Sequence, residues 1–229
     1  MKPRFVVIVS ADGEWRAIPK IYPDADFQET PFGQYFVEEV NGEPVVIMHG
    51  GWGKIPSAAS AQYAIDRWSP ELIVNMGTCG GFRGEIKRDE VVLADKTVVY
   101  DILSQIGDTD SAIKRQATEI DLSWLKPPYP LNVIRGTIVS GDRDLRPEDI
   151  PVLKAKYSAK VGDWESGSIA YICKKNGVKL LILRGVSDLV GPEGGEAYDG
   201  SKVIWIEAAE GIMRGLLASL PMWLGLYRE

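Results

Sequence analysis

Two short runs, Phe5-Val-Val-Ile-Val9 and Leu180-Leu-Ile-Leu183, contain no polar residue. A strand with one face in water alternates apolar and polar positions, so runs this short and continuous belong to strands covered on both faces, as in a parallel sheet flanked by helices. That requirement narrows the chain to an α/β architecture. Each run leads into an acid: Phe5–Val9 reaches Glu14 through a short polar turn, and Leu180–Leu183 reaches Asp188 through Arg184-Gly-Val-Ser187. Ligands of open α/β sheets bind in the crevice outside the carboxyl ends of the strands, so both carboxylates are expected to face one cleft. Ser187-Asp188 also has the composition of a helix N-cap, which is the structural alternative for Asp188.

The remaining pattern extends this reading. A helix is expected near Glu14 to Ile21, then a hairpin of Gln34 to Val40 and Pro44 to His49 around Asn41-Gly42, and a helix from Pro56 to Arg67. Strand Leu72 to Met76 is followed by a glycine turn, Gly77-Thr-Cys-Gly-Gly81, and by strand Glu90 to Tyr100. Asp101 to Tyr129 lacks periodicity and reads as a long loop with a short helix, of the kind that often serves as a functional lid. Strands at Asn132 to Val139, around Val161 and at Leu180 to Leu183 complete the sheet, with helices near Glu148 to Lys156, Ser166 to Lys175 and Lys202 to Leu220. The expectation is a single-domain, three-layer α/β sandwich around a mixed, twisted sheet.

Composition removes several classes of function. With 229 residues, 45% hydrophobic and 25% charged, the chain can bury a substantial core as one domain. Its longest uncharged stretch of interest, Gly215 to Tyr227, contains Pro221, falls short of the ~18 apolar residues of a membrane span, and reads as a terminal helix packed on the core. Lys2 and Arg4 lead straight into a β-like run without a signal-peptide h-region, so a cytoplasmic location is expected. A net charge of −6 and a pI near 5.0 oppose a nucleic-acid surface and favour a small ligand. Two cysteines, Cys79 and Cys173, and one histidine, His49, do not make a metal knuckle or a histidine-based triad, and His49 reads as a structural residue at a strand end. Gly50-Gly-Trp-Gly-Lys54 is not a P-loop, because Ile55 stands where Ser or Thr is required. Gly77–Gly81 lacks the spacing of a dinucleotide fingerprint.

A third acid, Glu165 in Gly162-Asp-Trp-Glu-Ser-Gly167, opens the helical stretch from Ser166, and Ser140-Gly-Asp142 adds a further turn. In order and spacing, from about Lys2 to Gly215, the series resembles the nucleoside phosphorylase and nucleosidase superfamily, most closely its methylthioadenosine/S-adenosylhomocysteine nucleosidase branch. The resemblance implies hydrolysis of the N-glycosidic bond of a 5′-modified adenosine, without metal or organic cofactor, by a homodimer. Breaking that bond puts positive charge on the ribose and negative charge on the departing base, so one acid must protonate the base while a carboxylate activates water. By motif position Asp188 is the acid, Glu14 the base and Arg184 the residue that holds the water and orients the glutamates. Glu165 would take the ribose hydroxyls, with Thr78 facing the nucleophile, Cys79 and Gly80 lining base and sugar, and Ser187, beside the acid, also binding substrate.

The chain departs from the family at three places. Trp164 replaces the usual methionine before the ribose-binding glutamate, Trp52 falls where an aliphatic residue lines the pocket for the 5′ group, and Arg143-Asp-Leu-Arg-Pro147 replaces a base-stacking phenylalanine, leaving Leu145 to supply the apolar contact. Two other readings stay open. A phosphorylase would use phosphate in place of water, with Arg16 or Arg184 as ligands, and a nucleoside sensor would bind without releasing base.

Overall fold

All five residues of β1 (Phe5–Val9) are buried, as a run without polar positions requires. The computed structural model describes residues 2–198, 200 and 203–227. After β1 come α1 (Asp12–Trp15), α2 (Ile18–Ile21), β2 (Gln28–Thr30), β3 (Gly33–Val40), β4 (Glu43–His49), α3 (Lys54–Trp68), β5 (Leu72–Phe82), β6 (Val91–Val99), α4 (Thr109–Gln116) and β7 (Thr118–Glu119). The order continues with β8 (Val133–Ser140), α5 (Ile150–Tyr157), β9 (Val161–Asp163), α6 (Ser166–Asn176), β10 (Lys179–Gly191), β11 (Gly194–Gly195) and α7 (Val203–Gly225). β1 runs parallel to both β4 and β5, placing Val9 level with His49 and Met76.

The sheet is mixed. β5 pairs in parallel with β10, β10 antiparallel with β6, β6 and β8 in parallel, β8 and β9 in parallel, and β9 antiparallel with β5, so these five strands close a ring. From β5 the sheet continues outward through β1, β4, β3 and β2. Alternation along β1 divides its side chains between two cores. Phe5, Val7 and Val9 join Met213, Leu216, Leu220 and Trp223 of α7. Val6 and Ile8 join Ala61, Ala64 and Trp68 of α3 and Ile169, Ala170 and Cys173 of α6. Helices therefore cover both faces, and the chain is α/β.

Several boundaries differ from the sequence reading for physical reasons. The helix expected from Glu14 to Ile21 is two single turns, because Pro19 lacks an N–H and sits in the first turn of α2 rather than inside one helix. The hairpin turn is confirmed by positive φ at Asn41 (54°) and Gly42 (80°), the geometry that twists two strands into register. Gly77–Gly81 is not a turn: β5 runs through it to Phe82. Likewise β10 runs through Arg184–Asp188 to Gly191, so Asp188 caps no helix. The stretch from Asp101 to Tyr129 holds α4 and also the short strand β7. The terminal helix passes Pro221 and ends at Gly225, and Asn41 Nδ2 donates to the Pro221 carbonyl at 2.7 Å. The start expected at Lys202 lies outside the described residues. Among those residues no helix is long and apolar enough to cross a membrane.

Candidate active site

The long strands β5 and β10 lie side by side and carry the site between them. Glu14, on α1 just past β1, is 1% exposed. Its Oε1 accepts from the Thr78 N–H at 2.6 Å and from Thr78 Oγ1 at 2.8 Å, and its Oε2 accepts from the Ala11 N–H at 3.3 Å. Burial pushes the Glu14 carboxyl upward, while Arg184 and these donors pull it down. Gly77 explains why this fits. A Cβ there would stand 2.1 Å from Arg184 Nη1 and 2.6 Å from both Glu14 carboxylate oxygens, so the ion pair occupies the space of a side chain.

Arg184 is wholly buried. It pairs with Asp163 at 3.0 Å, Glu14 at 3.6 Å and Glu165 at 3.7 Å. Its Nε also donates to Ser166 Oγ at 3.0 Å and its Nη2 to Asn75 Oδ1 at 2.8 Å. Burial opposes its charge, but the three carboxylates outweigh it and raise its pKa. Glu165 caps α6 by position and accepts from the Gly53 N–H at 3.2 Å. Its carboxyl is pushed up to about 8, chiefly by burial, with Arg184 opposing and Asp163 and Glu14 reinforcing the rise.

Asp188 owes its orientation to a bulge. Val186 pairs with Cys79 and Asp188 with Gly80, so Ser187 is an extra residue that re-aims its neighbour. Ser187 Oγ lies 2.7 Å from Asp188 Oδ1 and 3.2 Å from the Cys79 carbonyl. A hydroxyl has one proton, and both contacts become hydrogen bonds at once when Asp188 supplies a second. Burial raises the Asp188 pKa in the same sense, opposed by Ser187 and helped by Glu196. The Cys79 thiol, buried and facing Asp163, is pushed well above its ordinary value and is a neutral wall residue.

Ten of the eleven sequence-predicted positions, Glu14, Trp52, Thr78, Cys79, Gly80, Leu145, Trp164, Glu165, Ser187 and Asp188, line one cavity of about 560 Å³. Arg184 is the eleventh and stands behind that wall, paired with both glutamates. Leu145 packs on the backbone faces of Gly80 and Gly162. The Trp52 and Trp164 rings are 4.6 Å apart and tilted by 33°, with Trp52 still 55% exposed. His49 stacks on Trp15 at 5.2 Å, away from the cavity wall. Among the described residues no group of three or more His, Cys, Asp or Glu is arranged to hold a metal ion.

Sequence reasoning missed Asp163, Tyr198 and Trp205, all on the cavity wall. Asp163 had a signal, since it stands in the same hexapeptide as Glu165. Its Oδ1 accepts from Ser140 Oγ at 2.6 Å, tying the Ser140 turn to the site. Trp205 had none, because it reaches the cavity from a helix that begins far along the chain.

The profile of the phosphorylase superfamily matches residues 4–218. The chain belongs to that superfamily. It is 27% identical over 164 residues to the 5′-methylthioadenosine/S-adenosylhomocysteine nucleosidase of Buchnera aphidicola subsp. Acyrthosiphon pisum (strain APS), covering 67% of this chain and 71% of the relative. The corresponding nucleosidase of Marinomonas sp. (strain MWYL1) is 24% identical over 205 residues, covering 84% and 89%. Among solved structures, the Helicobacter pylori nucleosidase of that name with butyl-thio-DADMe-Immucillin-A superposes with a TM-score of 0.77 at 18% identity, covering 97% of this chain and 100% of that one. Futalosine hydrolase from Helicobacter pylori gives 0.76 at 18% identity, covering 96% and 97%. These superpositions establish the fold of this superfamily member.

Proposed function

We propose that this superfamily member hydrolyses the N-glycosidic bond of a 5′-modified adenosine, of the methylthioadenosine or S-adenosylhomocysteine type, to adenine and the 5′-modified ribose, the whole chain acting as one domain. The observation that carries the reading is the Glu14 carboxylate, buried at the cavity wall and held by three hydrogen-bond donors with a guanidinium behind it. A carboxylate fixed in this way accepts a proton from water and repels an incoming anion. Asp188 carries the opposite task. Burial raises its pKa, which favours the protonated form that the departing base requires, and proton transfer to a leaving group contributes roughly 10²–10⁴-fold. Glu165, next to Arg184, receives the ribose hydroxyls, and Leu145 supports the base beside Gly80.

The rival in which phosphate attacks loses one of its two candidate ligands, because Arg184 is enclosed by Glu14, Asp163 and Glu165. Arg16 remains on the cavity wall. A homodimer belongs to the proposal, supported by apolar surface at Leu103 (77% exposed) and Ile106, in the segment after β6. The test is chromatography of the purified protein with 5′-methylthioadenosine, S-adenosylhomocysteine and adenosine. Free adenine from a 5′-modified nucleoside is expected. Binding of all three without base release would favour a sensor.

A further inference from the structure

Trp205 is the third residue of α7, and its indole enters the cavity wall from the opposite side of the sheet to α6. Its Nε1 donates to Thr78 Oγ1 at 3.0 Å, and Thr78 Oγ1 donates to Glu14 Oε1 at 2.8 Å. The ring also lies against Gly13, where a Cβ would come within 2.3 Å of the six-membered ring. Gly13 thus leaves room for the indole beside the acid on the same helix. The hydrogen bond and the close packing are separate observations that place one side chain at one spot.

We propose that Trp205 is a positioning residue for the base: its N–H occupies a lone pair of the Thr78 hydroxyl and fixes that hydroxyl's single proton on Glu14. An indole N–H only donates, so the direction of the relay is set, Trp205 to Thr78 to Glu14. Hydrogen bonds in such a chain polarise one another, and donation into the hydroxyl strengthens the donation out of it. The end of the chain is the Glu14 carboxyl, which burial pushes upward and the Thr78 hydroxyl, with Arg184 and two backbone donors, pulls down. The inference deepens the base role proposed for Glu14 and rests on it for its consequence in catalysis, but the relay itself can be measured without turnover.

The titratable groups that act on Glu14 are the Arg184 guanidinium from β10, Glu165 at the head of α6 and the Cys79 thiol from β5, while Asp163 from β9 pairs with Arg184 and Asp12 on α1 pairs with His49. On α7, which packs on α1, Glu210 is engaged by Lys20 and Arg214. None of these contacts the Trp205 N–H among the described hydrogen bonds, so a phenylalanine there removes one donor and leaves the charges in place.

The test is carboxyl-carbon NMR of the full chain labelled with [δ-¹³C]glutamate, with the Glu14 signal assigned by its loss in E14Q. Replacing Trp205 by Phe is expected to raise the Glu14 titration midpoint by about 0.3 pH, because a donor to the charged form has weakened. G13A, which pushes the indole away without touching its N–H, is expected to act in the same direction and covers the case in which W205F does not fold. The decisive arm is the T78V background, in which W205F is expected to cause no further change. An unchanged midpoint in folded W205F and G13A, or an equal rise with and without the Thr78 hydroxyl, overturns the relay. The parent's adenine release is assayed separately: a protein that releases no base but shows the Thr78-dependent rise keeps the relay and loses the hydrolase.

Discussion

Three carboxylates share one guanidinium behind the cavity, and that ratio sets the chemistry of individual residues. Arg184 neutralises one of the three charges and a proton retained on Glu165 a second, which leaves one negative charge for Glu14 and Asp163 to share, as the proposed acceptor role of Glu14 requires. Glu165 is lifted from 4.5 to about 8, which means that the folded form binds its proton more tightly than the unfolded chain does. Between those two values the folded state holds the extra proton, so its contribution to stability is present at low pH and is lost as pH rises toward about 8. The melting temperature of the parent should therefore fall more steeply than that of E165Q across this window. Parallel curves would place the proton elsewhere in the cluster. Asp188 supplies a second residue-scale prediction. With adenine as leaving group, D188N should slow turnover by at least about 100-fold, and with an activated leaving group by far less, since departure then needs little proton donation. An equal loss on both substrates would make Asp188 a positioning residue.

At the scale of elements, β5 and β10 run unbroken through the stretches that carry the site. Gly77 allows this by leaving its side-chain space to Arg184 and Glu14, so G77A should both destabilise the protein, by about 1–3 kcal/mol, and remove most of its turnover. Normal turnover in G77A, measured beside its denaturant midpoint, would mean that the ion pair has room to move. The same strands show what could and could not be read from the sequence. Phe5–Val9 and Leu180–Leu183 were legible as buried strands because continuous burial writes itself as continuous apolar residues. The extension of β5 through Gly77–Gly81 was not legible, since glycines usually mark turns and here they answer to close neighbours across the sheet. The acids Glu14, Glu165 and Asp188 were legible through order and spacing. Trp205 was not, because its partner Thr78 lies 127 positions away and nothing local to either records the contact.

Across the whole molecule, the sheet brings segments from both ends of the chain to a single cavity. β1 delivers Glu14, β5 delivers Thr78, β10 delivers Arg184 and Asp188, and α7 closes over them with Trp205. The result is a wall whose buried charge on the nucleophile side is negative on balance, with Arg184 surrounded by Glu14, Asp163 and Glu165. In the proposed reaction a neutral water entering this region gives its proton to Glu14. A phosphate dianion entering it meets carboxylates first, and the cations on the cavity wall, Arg16 and Arg143, lie outside the Arg184 cluster. Water is therefore expected as the nucleophile even where phosphate is abundant. Mass spectrometry of the sugar formed from 5′-methylthioadenosine in phosphate buffer made with ¹⁸O-labelled water should show the free 5′-substituted ribose, with the label at C1 assessed early, before ring opening exchanges it. A product consisting mainly of the sugar 1-phosphate would overturn hydrolysis and make Arg16 a candidate phosphate ligand. Asp188 and Glu165 would keep their proposed roles in that event, because both reactions pass through a departing base and a positively charged ribose, and it is the transition state that the site must complement.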